Sequence, residues 1–135
     1  PIINLRPGAA TCIASLRQRG DAICIVTDGR SVTQRLKIRA LGLDPDAIFI
    51  SEEVGAEKPS PQAFETVERQ YPADRFVYIG DNTDKDFVVP RQRGWRTLGL
   101  RQDARAIHRR SGENGTGVQP DSWHSDFYSI ANALL

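Results

Sequence analysis

Apolar residues along this chain fall into short unbroken runs that stop at glycine or at polar residues. Between the runs, apolar positions recur every three or four residues. The runs at residues 22–26, 47–50, 76–79 and 96–100 read as strands. Continuous rather than alternating hydrophobicity predicts strands buried on both faces, as inside a parallel sheet. The intervening periodic stretches predict helices. Ala10, Ile13, Ala14 and Leu16 form an apolar stripe after Pro7-Gly8, with Arg17 and Arg19 in the last turn and Gly20 as the stop. Ser31 is placed to cap a second helix whose Val32, Leu36 and Ala40 recur every four residues up to Gly42. Pro61 suits the first turn of a third, which carries Phe64, Val67 and Tyr71 on one face and ends at Pro72. A short helix follows Asp86, with Pro90 in its first turn and Gly94 at its end, and residues 127–135 read as the last helix.

The remaining stretches read as connections. Residues 1–5 form a short opening segment or edge strand, and residues 52–60 a polar loop. Residues 101–122, rich in Gly, Ser, Arg and Asn, predict a mobile loop with a helical piece at 104–110. Strands alternating with helices argue an α/β fold, a doubly wound parallel sheet with right-handed crossovers of the Rossmann type. No repeat or linker divides the chain, so residues 1–135 form one domain.

Composition changes this picture little. Eighteen basic and seventeen acidic residues leave a net charge of +1, which gives no electrostatic case for nucleic acid or a membrane surface as partner. Arg101, Arg105, Arg109 and Arg110 form a local basic cluster that reads as solvated surface. Cys12 and Cys24 have neither disulfide nor metal spacing and read as reduced core residues of a cytoplasmic protein. No apolar run approaches the length of a membrane span, and the sequon at Asn114-Gly115-Thr116 would go unused in the cytoplasm. The chain has no methionine and opens on Pro1, which predicts a piece of something longer.

Candidate chemistry sits where strands end. In an open parallel sheet, ligands bind beyond the carboxyl ends of the strands, so groups distant in sequence converge there. Residues 22–26 run into Thr27-Asp28-Gly29; Lys58 follows the run 47–50 in the polar loop; residues 76–79 run into Gly80-Asp81, with Asp84 and Asp86 close behind. Three carboxylates within six residues repel one another unless a cation gathers them, and hard oxygen donors suit Mg²⁺. A hydroxyl, backbone N–H groups, an ammonium and a carboxylate-held Mg²⁺ together make the apparatus of phosphoryl transfer.

Three of these segments, in this order, resemble the signatures of the haloacid dehalogenase-like (HAD) hydrolase superfamily. They are Ile23-Cys24-Ile25-Val26-Thr27-Asp28-Gly29, Lys58-Pro59-Ser60-Pro61-Gln62-Ala63-Phe64, and Ile79-Gly80-Asp81 through Asp86. The resemblance implies that Thr27 binds the transferring phosphoryl group, assisted by the backbone at Asp28 and Gly29. Lys58 would orient the nucleophile and offset charge, Asp81 would ligate Mg²⁺, and Asp86 would support the metal shell or bind Lys58. The substrate implied is a small phosphorylated metabolite.

One signature is missing. The superfamily's nucleophilic aspartate and its general acid/base partner come from an Asp-x-Asp at the end of a central first strand, and Asp44-Pro45-Asp46 has those letters here. It follows a helix rather than an apolar strand, so it does not qualify. The expectation is therefore a C-terminal catalytic portion, inactive alone, with a gap between the strands ending at Thr27 and Asp81. A missing N-terminal segment or a neighbouring chain would complete the sheet. A non-catalytic ligand- or partner-binding module and a metal-free 2-haloacid dehalogenase are the alternatives. Asp81 weighs against the latter, since a metal-ligating carboxylate has no task in that displacement.

Overall fold

The computed structural model describes residues 5–58, 60–101 and 117–135. Its elements run α1 (Ala9–Gln18), β1 (Cys24–Thr27), α2 (Ser31–Ala40), β2 (Ala47–Ile50), α3 (Ser51–Val54), α4 (Gln62–Gln70), β3 (Val77–Gly80), α5 (Val88–Gln92), β4 (Arg96–Leu100), β5 (Ser122–His124) and α6 (Phe127–Leu134). All strand pairings among the described residues are parallel: β1 with β2, β3 with β4 and β4 with β5. The expected α/β architecture is present, with two additions. Ser122–His124 is a strand that starts at the last residue of the expected loop 101–122, and Ser51–Val54 is a turn of helix that runs into the expected polar loop 52–60. The helical piece at 104–110, the sequon and the rest of the basic cluster beyond Arg101 lie outside the described residues.

Strand alternation distributes side chains to two cores, one on each face. Tyr78 joins Phe64 and Val67 of α4, Phe87, Val89 of α5 and Trp95, with Cys24, Val26 and Phe49 packed against them. Ile79 and Ile23 point the other way, against Cys12 and Leu16 of α1, Leu98 and Leu100 of β4 and Ile130 of α6. The first core draws on strands of both sheets, and the second joins Ile23, just before β1, to residues of β3 and β4. Aromatic edges lock the first core: Phe64 meets Tyr78 and Trp95 edge-on, each at 5.3 Å between centroids.

The strands are not equally buried. β4, between β3 and β5, has four buried residues, whereas every residue of β1 is half-buried and β3 begins with an exposed Val77. This corrects the expectation that 22–26 and 76–79 are buried on both faces. Among the described residues β1 and β3 share no ladder: the sheets are β1-β2 and β3-β4-β5. Each therefore presents a strand edge toward which the other sheet contributes no backbone partner.

Helix α2 departs from its pattern. Val32 is 72% and Leu36 58% exposed, and the buried residue of the helix is Ile38. The inward face runs through Gln34 and Ile38, one helical turn apart, and its first member is polar because it abuts the β1 turn. The Ser31 cap is also corrected. Arg30 occupies the N-cap without a side-chain cap bond, and the Ser31 amide donates to Glu52 Oε1 of α3 at 3.0 Å.

Candidate active site

The carboxyl ends of β1 and β3 meet although their strands do not pair. Three loops are tied there by Asp28, Lys58 and Asp86. Asp28 Oδ1 accepts the Lys58 backbone N–H at 3.0 Å, and its other oxygen lies 3.8 Å from Lys85 Nζ in the turn after β3. Lys58 Nζ donates to Asp86 Oδ1 at 2.6 Å and to the Tyr78 hydroxyl at 3.2 Å. The remaining Asp86 oxygen accepts the backbone N–H groups of Asp81 and Asn82, both at 2.9 Å. A small pocket opens here, lined by Thr27, Asp28, Ser51, Lys58 and Ser60 among others.

Gly80 belongs to this arrangement for a reason other than a turn. A Cβ there would lie 2.6 Å from Asp86 Oδ2 and 2.8 Å from Asp86 Cβ, so glycine is what allows the carboxylate to seat against β3. Only then can Asp86 reach both amides.

The Lys58–Asp86 pair is nearly dry, with side chains 15% and 6% exposed. Burial works against the Lys58 charge, but the attraction of the neighbouring groups, with the hydrogen bonds to Asp86 and Tyr78, overrides it and holds the ammonium above the ordinary lysine range. Lys58 is therefore a fixed cation. Burial also pushes the Tyr78 hydroxyl up to about 12, so it stays a neutral phenol between charged partners.

The β1 turn is placed differently from the expectation at Gly29. Its N–H donates to Ser51 Oγ at 2.8 Å, which occupies the donor that the resemblance assigned to a phosphate oxygen. Thr27 Oγ1 donates to Gln34 Oε1 at 3.2 Å. Thr27, Asp28, Lys58 and Asp86 thus come together as the sequence predicts, and Asp81 opens the turn that Asp86 holds. Asp86 has one oxygen on the ammonium and one on two amides, an arrangement that orients Lys58 and the β3 turn. Among the described residues no three His, Cys, Asp or Glu side chains stand grouped as a metal cage. Asp81 is the carboxylate at the strand end with the hard-oxygen character that Mg²⁺ takes, one or two carboxylates plus waters being its usual protein share.

Four participants escaped the sequence reading: Gln34, Ser51, Tyr78 and Lys85. Ser51 follows β2 directly and so lay under the same strand-end rule that found Thr27. Tyr78 is the one polar-tipped residue of its apolar run. Gln34 and Lys85 carry no local signal.

A parallel, two-cored α/β domain that gathers a hydroxyl, a buried lysine–aspartate pair and a further aspartate at its carboxyl edge is of the doubly wound hydrolase class. Within that class the chain belongs to the haloacid dehalogenase-like hydrolases, whose family model matches residues 2–88. It is 33% identical over 100 residues to a glyceraldehyde 3-phosphate phosphatase of Methanopyrus kandleri, covering 71% of this chain and 43% of that protein. It is 34% identical over 107 residues to a phosphoserine phosphatase of Thermus thermophilus, covering 73% and 43%. Among solved structures it is similar to the HAD-hydrolase YfnB of Bacillus subtilis in a magnesium-bound crystal form, with a TM-score of 0.74 and 26% identity over 94% of this chain and 54% of that one. The chain spans about half the length of the curated relatives it matches. No helix among the described residues is long and apolar enough to cross a membrane.

Proposed function

We propose that this chain forms the phosphoryl- and metal-binding part of a Mg²⁺-dependent phosphohydrolase acting on a small phosphorylated metabolite. The observation that carries the reading is the buried Lys58–Asp86 pair beside Thr27, a permanently charged ammonium set at the meeting point of two parallel sheets. Desolvation makes such an ammonium a strong partner for phosphoryl oxygens, and Asp86 keeps it from moving. The phosphatase names of two relatives support the choice of substrate class.

In this reading Thr27 donates its hydroxyl proton to a phosphoryl oxygen, and Lys58 offsets the charge shared by that group and the nucleophile. Asp81 would hold Mg²⁺, which supplies charge neutralisation when bound. Asp86 positions rather than ligates, because both its oxygens are engaged. Asp28 fastens the Lys58 loop to β1. The nucleophile would be an aspartate carried by a strand seated between β1 and β3, from a further segment or a neighbouring chain; attack on phosphorus would form an aspartyl-phosphate and release the alcohol.

The test is hydrolysis of a panel of phosphate monoesters with Mg²⁺ by the chain alone and with a segment carrying an apolar strand that ends in Asp-x-Asp. The expected result is turnover only when the segment is supplied. Turnover by the chain alone overturns the assignment of the nucleophile, and no turnover with the segment favours the binding-module reading.

A further inference from the structure

Gln34 has no part in the chemistry assigned so far, yet its side chain lies on the phosphoryl-binding turn. Its backbone is fixed in the first turn of α2 by a 3.0 Å bond from its N–H to the Arg30 carbonyl. Of the two acceptors within reach of the Thr27 hydroxyl, Gln34 Oε1 at 3.2 Å is nearer than the Asp28 carbonyl at 3.4 Å. Gln34 Nε2 lies against Gly29, where φ is +134° and a Cβ would stand 2.7 Å from it. Ser51 Oγ accepts the Gly29 N–H at 2.8 Å, which anchors the turn. Glycine here is what makes room for the glutamine amide.

A threonine hydroxyl has one proton to give and two lone pairs to accept with. While that proton points at Gln34 Oε1 it cannot be given to a phosphoryl oxygen. We infer that Gln34 is a positioning residue with two settings for Thr27. With the site empty, its carbonyl oxygen holds the hydroxyl proton; with a phosphoryl group present, the amide turns over. Its Nε2–H then donates to Thr27 Oγ1, which releases its own proton toward the phosphoryl oxygen. The terminal torsion of glutamine is broad and nearly two-fold, so a half-turn exchanges the two atoms at low cost. Bare Gly29 leaves the space in which it happens. No covalent bond changes; only hydrogen-bond partners are exchanged.

The inference rests on the reading of Thr27 as a phosphoryl-binding residue, and the experiment separates the two. Inorganic phosphate is titrated into the protein while backbone amide signals and the Gln34 side-chain amide signals are followed by NMR. Phosphate is expected to shift Thr27, Asp28 and Lys58 together with the Gln34 side chain, and Thr27→Val should abolish the side-chain response. Gln34→Met keeps the bulk but has no donor and only a weak acceptor, and should weaken phosphate binding about three- to tenfold, the size of one neutral hydrogen bond. In the Thr27→Val background the same change should add less than about twofold, because the two residues act as a unit. Equal effects of Gln34→Met in both backgrounds overturn the inference. So does a Gln34 side-chain signal that stays still while Thr27 and Lys58 shift in the native protein. A titration that moves none of Thr27, Asp28 and Lys58 overturns the phosphoryl reading of the turn, and this inference with it.

Discussion

Lys58 shows how burial and pairing compete at one side chain. An ammonium withdrawn from water loses hydration worth several kcal/mol, and here Asp86 and Tyr78 replace it. Lys58→Met should therefore leave the Asp86 carboxylate buried with only two amides, destabilising the fold by about 3 kcal/mol. Urea unfolding followed by tryptophan fluorescence checks this. The pH dependence follows from the same contacts. Lys58 and Tyr78 are both raised in the folded state, so their contribution is complete below the unfolded values near pH 10 and declines as pH rises above them. Thermal unfolding should show stability falling from about pH 10 upward. Ultraviolet titration should resolve one of the three tyrosines at about 12, and Tyr78→Phe should remove that one.

At the scale of elements, α2 inverts the pattern that identified it. Its stripe of Val32 and Leu36 faces solvent, and Gln34 with Ile38 faces inward. Leu36→Gln should change stability by less than about 0.5 kcal/mol, as is usual on a surface. Ile38→Ala should cost about 2–4 kcal/mol through the cavity it leaves. Equal losses in Tm for the two would contradict this packing. The short α3 matters more than its length suggests, because Glu52 and Glu53 reach back to α2. Hydrogen bonds from Arg35 and Ser31 hold the Glu53 carboxyl down to about 2. On the other side of the fold, Arg93 and the Trp95 indole do the same for Glu68, also to about 2. Depressed carboxyls stabilise above their unfolded value and lose that contribution as pH falls through the folded one. Acid titration should thus weaken the fold progressively from about pH 4.5 toward pH 2. Glu68→Gln should flatten that dependence and shift the Trp95 emission.

For the whole molecule, the arrangement of sheets decides what is stable and what is open. β4 is paired on both sides and buried in four of its five residues, while β1 is half-buried, β3 buries only Tyr78, and the two lie in separate ladders. Amide hydrogen exchange should be slowest in β4 and faster in β1 and β3. An apolar peptide ending in Asp-x-Asp should slow exchange in β1 and β3 while leaving β5 unchanged, if the space between the two sheets accepts a strand. Unselective protection of every strand would speak against that space.

The order of strands and helices, the parallel topology and the meeting of Thr27, Asp28, Lys58 and Asp86 were legible in the sequence, because strand runs and strand-end residues are local patterns with a fixed geometric consequence. The strand Ser122–His124 was not, since three residues with polar flanks carry no periodicity and owe their conformation to pairing with Leu98–Leu100. Nor was the face of α2, because a polar site residue held the inward position that the pattern reserves for an apolar one. The same limit applies to Gly29 and Asp86. Sequence marks them as a turn glycine and an acid, but only packing decides that the glycine N–H is taken by Ser51 and that both oxygens of the aspartate are engaged. Hydrogen-bond partners are chosen by neighbours in space: Ser51 lies 22 residues from Gly29 and Lys58 lies 28 residues from Asp86 along the chain.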